Sequence, residues 1–127
     1  MLKFLAVGIG GFVGSCGRYA LNRLMKYLPF SFPLDTLLAN VIAGFFIGFI
    51  MGMEQQSLRL SPNIKLFLTT GLLGGLSTFC TFSLQTVTYF QSGKYAFAIG
   101  NILLNLGLSL LGTVSGIILA RTVFSKL

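Results

Sequence analysis

Histidine is absent from this chain, and acidic residues number two, Asp35 and Glu54. A proton-coupled pump or transporter needs an ionisable group inside the bilayer as a relay or coupling site. Both acids stand at the ends of one apolar segment, so proton coupling lacks its usual equipment. The phosphate-cradling G-x-x-x-x-G-K-[ST] loop is also missing, which leaves ATP-driven transport by this chain alone unsupported. No set of nucleophile, base and orienting group can be assembled, and the chain is read as a non-enzyme. The two cysteines, Cys16 and Cys80, fall 64 residues apart in apolar stretches with no CxxC pattern. They are expected to be small buried residues rather than disulfide partners or metal ligands.

Charge of either sign is scarce. Charged residues make up 9% of the 127 positions and hydrophobic residues 54%, whereas about a quarter of a soluble domain is charged. The composition is that of a membrane protein. Its few charges mark off uncharged runs of 14 residues (Phe4–Gly17), 18 (Thr36–Met53), 28 (Leu66–Gly93) and 26 (Tyr95–Ala120). A spanning helix needs about 20 apolar residues, which the first run reaches by continuing past Arg18 through Leu24. The reading is an all-α membrane protein forming a single four-helix transmembrane domain over 1–127, with spans near 4–24, 34–53, 63–91 and 97–121. A cleaved signal peptide is the alternative for the start. No A-x-A-like site follows, however, and "GGFVGSCGRYALNRL" continues as a glycine-faced helix. The net charge of +7 would suggest nucleic acid in a soluble protein; here the basic residues mostly flank membrane segments.

Glycine, by contrast, is abundant and patterned. The first segment carries Gly8, Gly10, Gly11, Gly14 and Gly17, the second Gly44, Gly48 and Gly52, and the fourth Gly112 and Gly116. Such small-residue stripes let helices approach closely. The connector "KYLPFSFPLD", with Pro29 and Pro33, ends the first helix. In "EQQSLRLSPNIK", Ser61 is placed to cap a helix with Pro62 at its first position. The third run is anomalous: as one helix, 28 residues would extend roughly 42 Å, beyond a hydrocarbon core of about 30 Å. Within it, "GLLGGLSTFCTF" packs glycines and hydroxyls together, and Gly74-Gly75 followed by Ser77-Thr78 marks an interruption. Irregular backbone at that depth survives only inside protein or against an aqueous cavity. The third helix is therefore expected to be broken near its middle, at a functional site.

Neutral polar residues are what remain within the membrane. Thr36 and Asn40 lie one helical turn apart, and Asn101, Asn105 and Ser109 form a line at four-residue spacing. Each alone reads as interhelical glue; together they suit a narrow path whose donors replace the water around an anion. Phe79 and Phe82, three residues apart, follow the break, and an aromatic rim carries partial positive charge.

Arg18 in "GSCGRYALN", with "FPLDTLLANVIAGFFIG", "GLLGGLSTFCTFS" and "NILLNLGLS", resembles the CrcB/Fluc fluoride-channel family over nearly the whole chain. The resemblance implies a small subunit of the bacterial plasma or inner membrane that assembles as an antiparallel, dual-topology homodimer. It further implies two fluoride-selective pores through which cytoplasmic fluoride leaves passively, relieving toxicity. By matching motif, Phe79 and Phe82 become the pore-facing rings and Asn40 the polar pore residue, with Asn101, Asn105 and Ser109 as the fourth-helix track. Gly74 and Ser77 would offer backbone carbonyls to a structural sodium at the dimer centre, and Thr36, Cys80 and Arg18 fall to the vestibule. Fluoride, a second copy and the bilayer are the implied partners, with no nucleic acid. Cys80 stands where serine is usual, Asp35 replaces a common glycine and adds negative charge near the pore mouth, and Asn101 stands where an aromatic or other polar residue is frequent. A small multidrug-type exporter is similar in size, but that family relies on a first-helix glutamate that is missing here. A third reading is a non-conducting assembly subunit packed through its glycine stripes.

Topology follows from charge without the family. Four spans place Lys3, Arg59, Lys65, Arg121 and Lys126 on one side, against Arg18, Arg23, Lys26 and Lys94 on the other. With basic residues so evenly divided, the positive-inside rule expresses almost no preference. Insertion in both orientations is expected, so a C-terminal tag should be reachable from both faces of the membrane. Labelling from one face only would contradict it.

Overall fold

The computed structural model describes residues 1–28 and 33–125; Pro29 and Lys126, invoked above, lie outside them. All regular structure among the described residues is helical. The elements are α1 (Leu2–Met25), α2 (Leu34–Gln55), α3 (Pro62–Leu66), a π-helical stretch (Phe67–Leu73), α4 (Gly74–Leu76), α5 (Cys80–Gln91) and α6 (Tyr95–Phe124). Four stretches are long and apolar enough to cross a membrane: Leu2–Met25, Leu34–Gln55, Pro62–Gln91 and Tyr95–Phe124.

Local chemistry sets the ends of the third span. Ser61 Oγ accepts the Ile64 N–H at 3.4 Å, with Pro62 following at the start of α3, the capping expected from the sequence. At the other end Gly93 takes φ +79°. There the Lys94 N–H reaches back to the Tyr89 carbonyl at 2.9 Å and the Gly93 N–H to Phe90 at 3.2 Å. This is a glycine-terminated helix end, whose left-handed residue an L side chain would strain.

The glycine stripes hold two helix pairs together. α2 packs chiefly along α6, α1 packs against the π-helical stretch and α4, and α5 rests on α6. A Cβ built on Gly48 would lie 2.1 Å from the Thr113 carbonyl oxygen, and one on Gly116 2.1 Å from that of Phe45. In the other pair, a Cβ on Gly14 would meet the Leu72 carbonyl oxygen at 2.1 Å, and one on Gly75 that of Gly11 at 2.8 Å. Backbones meet directly at these points, which is the contact that small residues permit in lipid. Small residues supply half of the buried hydrophobic positions among the described residues, Ala39, Ala43, Ala98 and Ala120, while Phe4, Phe12, Leu103 and Leu110 are exposed.

Cys16 and Cys80 are both exposed, which corrects the expectation of buried thiols. Hydrophobicity separates inside from outside only when the surroundings are water; in lipid an apolar side chain is equally at home on the outer face.

Gly48→Ala should cost about 1–3 kcal/mol of stability, the usual range for overpacking, because the opposing atom is a backbone oxygen that cannot rotate away. Gly17→Ala should be tolerated, since its Cβ would find only Leu76 Cδ1 at 3.8 Å. Thermal unfolding of the two variants in detergent reads the difference, and equal midpoints would contradict it.

Candidate functional site

The third span loses its helical ladder at Ser77–Phe79, where Ser77 is extended with φ −75° and ψ 154°. In a continuous helix the Thr78 N–H would donate to the Gly74 carbonyl; here it donates to Asn40 Oδ1 at 2.8 Å. The Thr81 N–H, due to the Ser77 carbonyl, goes instead to Thr78 Oγ1 at 3.2 Å. Gly74 and Ser77 are therefore among the carbonyls at the break that lose their helical donors, in their case to side-chain acceptors. Asn40 also donates through Nδ2 to the Thr78 carbonyl at 3.3 Å. One α2 side chain thus satisfies both backbone groups of Thr78, at a depth where each would cost several kcal/mol if left bare.

From Asn40 a directional chain of hydrogen bonds runs along α6. Asn40 Nδ2 donates to Asn105 Oδ1 at 3.0 Å, and Asn105 Nδ2 donates to Asn101 Oδ1 at 2.8 Å and to the Asn101 carbonyl at 3.0 Å. Asn101 Nδ2 donates to Thr86 Oγ1 at 3.0 Å, and the Thr86 hydroxyl ends the chain on the Phe82 carbonyl at 2.9 Å. The four-residue spacing of the asparagines stacks them, so each amide supplies the next acceptor. Asn101 is wholly buried and Asn105 nearly so.

Beside this chain lies a cleft of about 370 Å³, lined by Asn40, Gly44, Thr69, Gly74, Ser77, Thr78, Phe79, Phe82, Asn105 and Ser109 together with apolar neighbours. The Phe79 and Phe82 rings meet at 5.4 Å, inclined by 54°; Phe82 is 7% exposed and Phe79 71%. Ser109 Oγ is buried and has no hydrogen-bond partner among the described residues. A pocket of about 230 Å³ adjoins, lined by Ser15, Arg18, Tyr19, Asn22, Asp35, Thr36, Thr78 and Thr81.

The structure thus gathers Phe79, Phe82, Asn40, Asn105, Ser109, Gly74 and Ser77 around one cleft, and Arg18 and Thr36 around the adjoining pocket. Asn101 lines neither, being turned to Thr86, and Cys80 is exposed outside both. Both Asn40 amide hydrogens are already engaged, so presenting one to an ion requires release of the longer bond, to Thr78. Reading the sequence did not single out Thr86 or Gln85. Gln85 Nε2 donates to Thr36 Oγ1 at 3.1 Å, while its Oε1 is buried without a partner. An amide and a hydroxyl one helical turn beyond Thr81 and Phe82 were the available signal.

The family model described as CrcB-like protein, Camphor Resistance (CrcB), matches residues 5–117. The fluoride-specific ion channel FluC of Clostridium perfringens is 46% identical over 125 residues, covering 98% of each chain. That of Ruminiclostridium cellulolyticum is 44% identical over 126 residues, covering 98% of this chain and 97% of the relative. That of Paraburkholderia phymatum is 43% identical over 116 residues, 91% and 92% of the two chains.

Thr86→Val keeps the side chain's shape and removes the acceptor for Asn101. With the amide left bare in a buried site, stability should fall by about 1–3 kcal/mol. Asn101→Leu, which removes the amide but leaves Asn105 facing an apolar group, should be no milder. Unchanged thermal midpoints for both variants would show that the chain of amides contributes nothing.

Proposed function

We propose a function from one established premise, that this chain belongs to the CrcB family. It is a multi-pass protein of the bacterial cell membrane, and on our reading it is a passive, fluoride-selective channel that lets cytoplasmic fluoride escape. The observation that carries the reading is the row of neutral donors opening on a cleft beside paired aromatic rings at a helix break. Fluoride is small and strongly hydrated, so a dry path can admit it only by replacing its water step by step. Ser109 supplies an uncommitted hydroxyl, the Asn40 amide can exchange its 3.3 Å bond to Thr78 for the ion, and the rims of Phe79 and Phe82 add positive edge. No acid lines the cleft, which counts against the proton-coupled exporter.

The conducting unit is an antiparallel homodimer. One chain exposes 8055 Å², whereas a globular monomer of its 13.7 kDa would expose roughly 6,600 Å²; the excess supports a second copy over part of this surface. The near-equal division of basic residues supports its opposite orientation. The diverted carbonyls of Gly74 and Ser77 fit a structural sodium, a hard cation that takes oxygen ligands. Such an ion would balance the exposed carbonyl dipoles without being carried, so fluoride flux driven by a sodium gradient would contradict that role.

Phe82→Ile separates the ring's quadrupole from its bulk. In liposomes with matched dimer content, it should reduce fluoride efflux by at least about ten-fold, a change of about 1.4 kcal/mol in barrier, with the protein still folded. Phe82→Tyr should be milder. A well-folded isoleucine variant with normal efflux would reduce Phe82 to packing.

A further inference from the structure

We propose that Asp35 sets the rate at which anions enter this protein, by opposing Arg18 in the pocket that opens onto Thr78. The inference rests on the channel reading and adds to it a charged residue acting on entry. Thr78 lines both the polar pocket and the cleft; on this inference an ion enters by the pocket and passes Thr78 to reach Asn40 and Ser109.

Its lining contains two charged side chains, Arg18 and Asp35; every other lining residue is neutral. They do not neutralise each other by contact, because Lys65–Glu54, at 2.9 Å, is the ion pair found among the described residues. Asp35 Oδ2 instead accepts a hydrogen bond from Asn22 Nδ2, which ties the end of α1 to the start of α2 and holds the carboxylate at the pocket. Placement in the first turn of α2 suits a negative side chain, since the unpaired backbone N–H groups lie there. Arg18 alone would concentrate anions in the recess. Asp35 cancels that field at the place where the ion must shed its water, so entry is slower than the recess would otherwise permit.

Asp35→Asn tests this directly, because the new side chain keeps an oxygen to accept from Asn22 and loses only the charge. Initial fluoride efflux would be measured from liposomes carrying equal amounts of wild type, D35N and N22A, at ionic strengths of about 10 mM and about 1 M. At the lower value the Debye length is about 30 Å, and at the higher about 3 Å. D35N should exceed wild type by about three-fold or more at low ionic strength, and the ratio should fall toward one at high. Three results would overturn the proposal: a D35N rate equal to or below wild type at low salt, a gain that salt does not diminish, or the same gain in N22A, which breaks the hydrogen bond and keeps the charge. Wild-type protein that carries no fluoride would overturn the channel reading and this proposal together. Conduction by wild type with no gain in D35N would overturn this proposal alone.

Discussion

Asn40 holds the break in the third span in place. Lipid offers no partner to a bare amide or carbonyl, so a helix can be interrupted at membrane depth only if something else meets its polar groups. The side chain of Asn40 has the same donor and acceptor as a peptide unit, and it pairs with both the N–H and the carbonyl of Thr78. The break, the release of the Gly74 and Ser77 carbonyls and the placement of Phe79 beside Phe82 all follow from that pairing. Because Asn40 also bonds to Asn105, the break is tied to α6 and cannot slide independently of it.

The glycine contacts make this clamp possible. Asn40 reaches Asn105 because α2 and α6 approach to backbone contact at Gly44, Gly48 and Gly116. α1 meets the π-helical stretch in the same way, fixing the first half of the third span. Widening either pair by a methyl group would draw donors and acceptors apart by more than a hydrogen bond tolerates. Packing and polar chemistry are therefore one system, with small residues setting distances that the asparagines use.

Much of this was legible from residue order alone. Four spans, the capping by Ser61, the glycine stripes and the interruption after Gly74-Gly75 follow from apolar run length and from residues that resist a continuous helix. Spacing placed Asn105 and Ser109 on one helix face, whereas their gathering with Asn40, Phe79 and Phe82 at one cleft was implied by the family resemblance. Three features were not legible. The π-helical turn at Phe67–Leu73 has no distinctive composition, and Asn101 lies on the polar line yet is turned to Thr86, because periodicity gives a face without naming its partner. The exposed cysteines show the third limit: in lipid, apolar character does not distinguish the interior from the outer surface.

A path built from neutral donors and aromatic rims, with no acid or histidine in the cleft, has the chemistry of anion passage without coupling. Donors that must replace an anion's water favour the halide that accepts the strongest hydrogen bonds. The most direct measurement is fluoride-electrode recording of efflux from liposomes containing only this protein, beside the same recording for chloride. A fluoride pore predicts efflux well above protein-free liposomes, down the fluoride gradient alone, with chloride retained. Fluoride release no faster than from empty liposomes, or equal release of chloride, would contradict it.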